Sequence, residues 1–266
     1  MTDFDAYERV LWAGKAAGYE RVFMQLSRRM VEPLLDAVGA AAGAALLDVG
    51  TGPGPVAEAA LARGLTVTAV DAEPSMAEAA ARNVPHADVR VAALPDLDLP
   101  DRNFDAIVGN FVIQHVGDPH KSLATLHRLL RVGGRIALTC WHMPHSTGNT
   151  LVRSAMTQAG VGWPADVPAS PFVELAEPAP FAALLSEAGF TGVEVTEHSW
   201  LHTVDPDVWW SGPASGVGPN GMALSLLDAA TVAEIKTVYD SLVSEYATAD
   251  GMVALPACAL LATASR

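Results

Sequence analysis

The stretch "LLDVGTGPG", residues 46–54, closes an apolar run on Asp48 and then sets Gly50, Gly52 and Gly54 at alternate positions. Glycines take backbone conformations closed to other residues and let a bound molecule come close to the main chain. A helix opening directly behind them would add the unpaired amides of its first turn. The next apolar stretch, "LTVTAVD", ends in Asp71, about twenty residues past the first glycine, where a carboxylate can accept two hydrogen bonds from the hydroxyls of a ribose. Farther on, His115 in "NFVIQHVGD" offers an imidazole for proton transfer, and His142 and His145 in "WHMPHSTG" offer two more.

Bringing these residues together requires a particular order of elements. "AALLDVG", "LTVTAVD", "ADVRVAA", "FDAIVGNFVI" and "GGRIALTCW" read as strands, with "PVAEAALARG", "EPSMAEAAARN" and "PHKSLATLHRLLR" as helices among them. Strands spaced by helices imply parallel pairing through right-handed crossovers. The result is an α/β, doubly wound, Rossmann-like sheet, of about seven strands once "TGVEVTEHSW" and "MVALPACALLATA" are added. Ligands in such sheets sit beyond the carboxyl ends of the strands at the switch point, which is where the glycine turn falls.

The flanking segments read differently. Apolar residues at helical spacing from Asp5 to about Val38 predict two helices, split near Gly14 to Gly18. Behind the strands, "TGNTLVRSAMTQAG" and "PFAALLSEAGF" are helical, with a proline-rich connection between them. The segment separating the last two strands is too long for an ordinary loop. It holds "WWSGPASGVGPNG", readable as a mobile lid or a static series of turns, and the long helix "DAATVAEIKTVYDSLVSEYA". The expected division is an N-terminal helical lid (1–39), a ligand-binding core (40–145), and a remainder (146–266) that completes the sheet and carries a helical cap near 200–250.

Composition narrows the function classes. The formal net charge of −14 works against a phosphate-backbone partner, so nucleic acid is not expected. Arg21, Arg28 and Arg29 form a local basic cluster at helical spacing and read as a solvated face. The opening "MTDFDAYERV" is acidic where a secretory signal is basic, and no apolar run is long enough to span a bilayer; a cytoplasmic protein without a membrane partner is expected. Cys140 and Cys258 lie in apolar runs and read as reduced core thiols. His142 and His145 have no carboxylate beside them in sequence, so no metal is expected there, and contact with a substrate is the better reading. Oligomeric state is left open.

A glycine turn with a downstream acid marks an adenosine ligand without naming it. The dinucleotide fingerprint needs G-x-G-x-x-G, whereas here the third glycine comes one position early and Pro55 stands in its place. Asp48, two residues before the first glycine, would also face a pyrophosphate with negative charge. S-adenosylmethionine has no phosphate, and its sulfonium and ammonium suit neighbouring acids.

At these residues the chain resembles the class I S-adenosylmethionine-dependent methyltransferases, particularly the ubiquinone/menaquinone-type branch and its actinobacterial small-molecule relatives. "LLDVGTGPG" is similar to their first motif and "VTAVDAEPSM" to their second. "VAALPDLDLPDRNFDAIVGNFVIQHV" is similar to their third block, and "LLRVGGRIALT" to the entry of the fifth strand. The resemblance covers about residues 40–142. It implies that Asp48, Gly50, Thr51, Gly52 and Gly54 accommodate the methionine part with Asn110 and Phe111, that Asp71 and Ala72 hold the ribose, and that Met76 packs on the adenine. The family often has an acid where this chain reads Ala92 and Ala93, so Ala92, Ala93 and Leu94 would edge the adenine without it.

Methyl transfer from a sulfonium is an in-line displacement that needs alignment and exclusion of water rather than a covalent residue. Where the acceptor is a hydroxyl or an acidic carbon a base would help, and His115 is the candidate for it, with cofactor packing as its plainer role. Tyr19, Phe23, Trp141, His142, Trp209 and Trp210 are the expected acceptor-binding residues, pointing to a fairly hydrophobic small molecule methylated on O, N or C, a secondary metabolite being one candidate, with S-adenosyl-L-homocysteine as the other product. Asp71→Ala is expected to weaken cofactor binding while leaving the fold intact. Two other readings stay open: a non-methylating S-adenosylmethionine-binding protein or cyclase on the same fold, and an NAD(P)-dependent oxidoreductase.

Overall fold

The computed structural model describes residues 2–266. One seven-stranded sheet organises the chain: β1 (Ala45–Val49), β2 (Thr66–Asp71), β3 (Asp88–Val91), β4 (Phe104–Gly109), β5 (Leu130–Trp141), β6 (Thr191–Val204) and β7 (Val253–Ser265), in the order β3-β2-β1-β4-β5-β7-β6. The first five strands pair in parallel, and β7 runs antiparallel to both β5 and β6. From β1 the chain winds outward through β2 to β3, then returns and continues on the other side with β4. The strand order therefore reverses between β1 and β4, opening a crevice at their carboxyl ends.

Alternate side chains of each central strand feed opposite cores, as a sheet buried on both faces requires. Leu46, Ala106, Val108 and Ala137 go to one face, and Leu47, Ile107, Ile136 and Leu138 to the other. The helices, in chain order, are α1 (Asp3–Trp12), α2 (Ala16–Val22), α3 (Met24–Ser27), α4 (Val31–Val38), α5 (Pro55–Ala62), α6 (Pro74–Asn83), α7 (Pro119–Leu129), α8 (Thr147–Gln158), α9 (Pro178–Glu187), α10 (Pro206–Ala214), α11 (Gly218–Ser225) and α12 (Ala229–Ser244). α4, α5 and α6 cover the first face, and α7 and α9 the second. A third core joins α2, α3, α8, α10, α11 and α12 to the far ends of β6 and β7. No helix among the described residues is long and apolar enough to cross a membrane.

The flanks differ from the sequence pattern in three places. Residues 3–38 form four α-helices and a 3₁₀ turn rather than two helices, because the chain changes cores on the way: Val22 and Leu26 pack in the third core, Met30 and Leu34 against the sheet. The glycine-rich segment after Trp210 is neither an open lid nor a run of turns but the end of α10 and the start of α11, each opened by a first-turn proline. The apolar run "FDAIVGNFVI" stops being strand at Gly109, since Phe111 takes a left-handed conformation.

Candidate functional site

β1 delivers Asp48 to the crevice. Its side chain is fully buried; Oδ2 accepts from Thr51 Oγ1 at 2.7 Å, and Oδ1 has no partner among the described residues. Burial pushes its pKa up to about 7, with the Asp71 charge adding and the Thr51 hydroxyl and the approaching Ala57 amide opposing. A buried carboxylate oxygen without a donor is costly unless something cationic or hydrogen-bonding reaches it. Beside it, Gly50, Gly52 and Gly54 all take positive φ, and a Cβ on Gly50 would overlap the Val112 side chain. Their bare backbone forms the floor of the crevice.

β2 delivers Asp71, half-buried, whose Oδ2 accepts from the Gly52 amide at 2.8 Å and Oδ1 from the Glu73 amide at 2.9 Å. The carboxylate thus clamps the glycine turn to the start of α6, which makes it part of the local structure as well as a ligand contact. Its pKa is raised chiefly by burial, against those two donors. Each oxygen keeps a free lone pair for a hydroxyl. Ala72 is exposed at the rim, Met76 is buried under Trp12 and Tyr19, and the Ala92 amide donates to the Asp71 carbonyl at 2.9 Å. Ala93 and Leu94 follow half-buried. The Gly52 amide ties Asp71 to the glycine turn beside Asp48, and this bare acid, open backbone and ribose-type carboxylate fit the methionine and ribose parts of S-adenosylmethionine.

At the end of β4, Asn110 Oδ1 accepts from Thr139 Oγ1 at 2.9 Å and Nδ2 donates to the Ser27 carbonyl at 3.0 Å. Phe111, at φ +56°, stacks on Trp141 with ring centroids 3.8 Å apart. A bulky residue held in that conformation is strained and needs its surroundings to fix it, as Thr139 does by accepting the Phe111 amide at 2.9 Å. His115 follows in a short 3₁₀ turn. Its Nδ1 lies 2.9 Å from Glu8 Oε2, and that same carboxylate oxygen accepts from Trp12 Nε1 at 2.8 Å.

The aromatic residues divide. Tyr19 meets Trp12 edge-on and Phe23 at 6.4 Å, and Phe23 meets Trp209 at 5.2 Å. His202 lies 5.4 Å from Trp209 on the far side, its Nε2 without a partner among the described residues and its pKa pushed down by burial. A small cavity of about 10 Å³ lies beside Trp209 and His202, bounded also by Leu26, Gly148, Asn149 and Leu255. Trp210 is not part of it: it packs on Tyr239 and under Lys236 of α12. His142 is not part of it either, turning to the opposite sheet face, toward Cys258, Glu177 and Glu197. The sequence argument that the His142–His145 pair lacks a carboxylate is overturned here, because β6 and the start of α9 bring two.

Glu8, Thr139 and Gln114 escaped the sequence reading. Glu8 carried a usable signal: it lies one helical turn before Trp12, so an acid shares the face that carries that indole. Nothing local marks Gln114, whose Oε1 accepts from the Trp141 amide at 3.0 Å and whose Nε2 lies 3.3 Å from His115 Nε2.

The sheet order, glycine turn and carboxylate ending β2 are those of the class I methyltransferase fold. Residues 47–138 match the family model described as a methyltransferase domain. A demethylmenaquinone methyltransferase of Renibacterium salmoninarum is 32% identical over 121 residues, 46% of this chain and 51% of the relative. The chain spans about half the length of the curated relatives it matches. Among solved structures, phosphoethanolamine N-methyltransferase 2 of Haemonchus contortus, in complex with phosphomonomethylethanolamine and S-adenosylhomocysteine, aligns with a TM-score of 0.60 at 17% identity, covering 100% of this chain and 60% of that one. The [4+2]-cyclase SpnF aligns with a TM-score of 0.55 at 18% identity, covering 92% of this chain and 83% of that one. These two share the fold.

Proposed function

We propose that the protein transfers a methyl group from S-adenosylmethionine to an O, N or C atom of a fairly hydrophobic small molecule. The observation that carries this reading is the buried, unpartnered Asp48 oxygen beside the glycine turn, a place for a cation rather than a phosphate. When bound, S-adenosylmethionine supplies an electrophilic methyl group on a sulfonium. Asp48 balances the ammonium, Asp71 holds the ribose hydroxyls, and Met76 with Ala92, Ala93 and Leu94 bounds the adenine. Asn110 and Phe111 border the methionine part.

His115 receives the proton of the acceptor on Nε2 while Glu8 holds Nδ1–H. Tyr19, Phe23, Trp141 and Trp209 wall the acceptor in and keep water out, with α1–α3 as lid and α10–α12 as cap. The test is calorimetric titration with S-adenosylmethionine, S-adenosylhomocysteine and NADH, followed by screening acceptors for a mass gain of one methyl group. Binding of both sulfur ligands and not NADH, with such a gain, is expected. Failure of both to bind overturns the reading; tight binding without conversion of any acceptor selects a non-methylating binder or cyclase.

A further inference from the structure

On the sheet face away from the glycine turn, four side chains converge that the proposed reaction does not use. His142 leaves β5, His145 ends the 3₁₀ turn Met143–His145, Glu197 lies on β6 and Cys258 on β7. The strand register brings them together. Leu260 of β7 faces Cys140 on one side and Glu197 on the other, so Glu197, Cys258 and the continuation of β5 to His142 share one face.

One donor atom from each residue lies within 4.8 Å of the other three. His142 Nδ1 is 3.1 Å from Glu197 Oε1 and 4.0 Å from Cys258 Sγ, and His145 Nδ1 is 3.9 Å from Glu197 Oε2. A single N–H on His142 Nδ1 cannot serve both the carboxylate and the sulfur. A cation at the centre satisfies all four donors at once. Tetrahedral zinc, at about 2.0–2.1 Å from nitrogen or oxygen and about 2.3 Å from sulfur, spaces its ligand atoms roughly 3.3–3.8 Å apart, so donors that stand within 4.8 Å of one another here reach it by small side-chain shifts.

The surroundings are those of a built site. His142 Nε2 lies 3.3 Å from Glu177 Oε2 at the start of α9, the outer carboxylate that orients a ligating imidazole and leaves Nδ1 free to face a metal. The two sides are tied at the backbone: the His142 amide donates to the Cys258 carbonyl at 3.0 Å, and Ser146 Oγ accepts from the Cys258 amide at 3.0 Å. His142 and Cys258 are buried while His145 and Glu197 are exposed, giving a fixed inner pair and an open side for entry.

We propose that His142, His145, Glu197 and Cys258 form a zinc-type cation site that staples β5, β6 and β7 at the edge of the sheet. Two imidazoles, one thiolate and one carboxylate favour zinc over magnesium or calcium, and four protein ligands make the site structural rather than catalytic. Its place directly after Trp141, which stacks on Phe111, makes it a brace for the wall of the crevice.

The experiment uses the full chain, stripped with EDTA and titrated with zinc chloride and then cobalt chloride. One zinc per chain is expected, and cobalt should show tetrahedral visible bands with a thiolate charge-transfer band in the near ultraviolet. That band should vanish in Cys258→Ser, and zinc affinity should fall at least about tenfold in His145→Ala and Glu197→Gln and about tenfold in Glu177→Gln. Should the buried Cys258→Ser variant fail to fold, His145→Ala, at an exposed position, still decides. Absence of stoichiometric zinc, cobalt spectra without the thiolate band, or unchanged affinity in His145→Ala and Glu197→Gln overturns the proposal and leaves the His142 ring hydrogen-bonded between Glu177 and Glu197.

Discussion

His115 Nδ1 lies 2.9 Å from Glu8 Oε2, linking the turn after β4 to the first helix across more than a hundred residues of chain. The contact sits at the end of a relay whose direction can be read. The Trp141 amide donates to Gln114 Oε1, which turns the Gln114 amino group toward His115 Nε2. His115 Nδ1–H must then donate to Glu8, and the Nε2 lone pair, which accepts from Gln114, becomes the basic site when an acceptor O–H or N–H displaces that amino group. Glu8→Gln should lower kcat about tenfold or more while leaving the affinity for S-adenosylmethionine within about twofold, since the glutamine holds the indole of Trp12 but no longer stabilises a charged imidazole. His115→Gln should lower kcat further. Steady-state kinetics beside calorimetry separates the two quantities; equal losses in both would make Glu8 a packing residue only.

That relay depends on how α1 is seated. The Gly117 amide donates to Asp5 Oδ1 at 2.7 Å, and a Cβ at Gly117 would overlap Thr2 Oγ1 and press on the Asp5 carboxylate. Those two residues form the capping box that opens α1. Gly117→Ala should therefore release α1 without unfolding the sheet, and with it lift Glu8 off His115. Hydrogen exchange should show amides of residues 3–12 losing protection while β1 and β4 keep theirs. Uniform loss across both regions would mean that α1 is not a separate docking unit.

The legible part of this molecule is the part written locally. Alternate apolar residues in the buried strands, the glycines after Asp48 and the acid ending β2 each state their role within a few residues, and the doubly wound sheet follows from the alternation with helices, whereas the insertion of an antiparallel β7 between β5 and β6 does not. What was not legible depends on partners far along the chain. Glu8 meets His115 only because Gly117 seats α1, and His142 meets Cys258 only through the β5–β7 pairing. Trp209 and Trp210 look equivalent in sequence, yet neighbours on a helix point about 100° apart, so one enters the aromatic cluster and the other packs on α12.

Asp71 should prove doubly employed. Because its carboxylate accepts from the amides of Gly52 and Glu73, Asp71→Ala strands two backbone donors and loosens the glycine turn in the free protein, rather than leaving the fold untouched. A loss of about 1–3 kcal/mol in unfolding free energy is expected, alongside loss of cofactor affinity. Asp71→Asn keeps a side-chain acceptor for one of the two amides and should recover part of the stability but little of the affinity. Urea denaturation without ligand, set beside calorimetry, reads the two effects separately; full stability in Asp71→Ala would assign the residue to ligand contact alone.

Asp48 gives a pH dependence whose sign can be worked out. Burial raises its pKa from 3.8 to about 7, so between those values the folded state binds a proton that the unfolded state has released. The stability contribution is therefore present at low pH and is lost as pH rises through about 7, where an ionised carboxylate with one unpartnered oxygen must be kept in the interior. Asp48→Asn carries no such charge. Its melting temperature relative to the native protein should rise steadily from about pH 4 to about pH 7 and then level off, by several degrees in all. The same substitution removes the counter-charge for an ammonium, so S-adenosylmethionine should bind about tenfold more weakly or worse, and native affinity should improve as pH passes 7 and the acid gives up its proton. Differential scanning calorimetry of both proteins across that range supplies the first comparison and titration calorimetry the second. A melting difference that does not change with pH would mean that Asp48 is already ionised in the free protein, and would remove the argument that its bare oxygen awaits a cation.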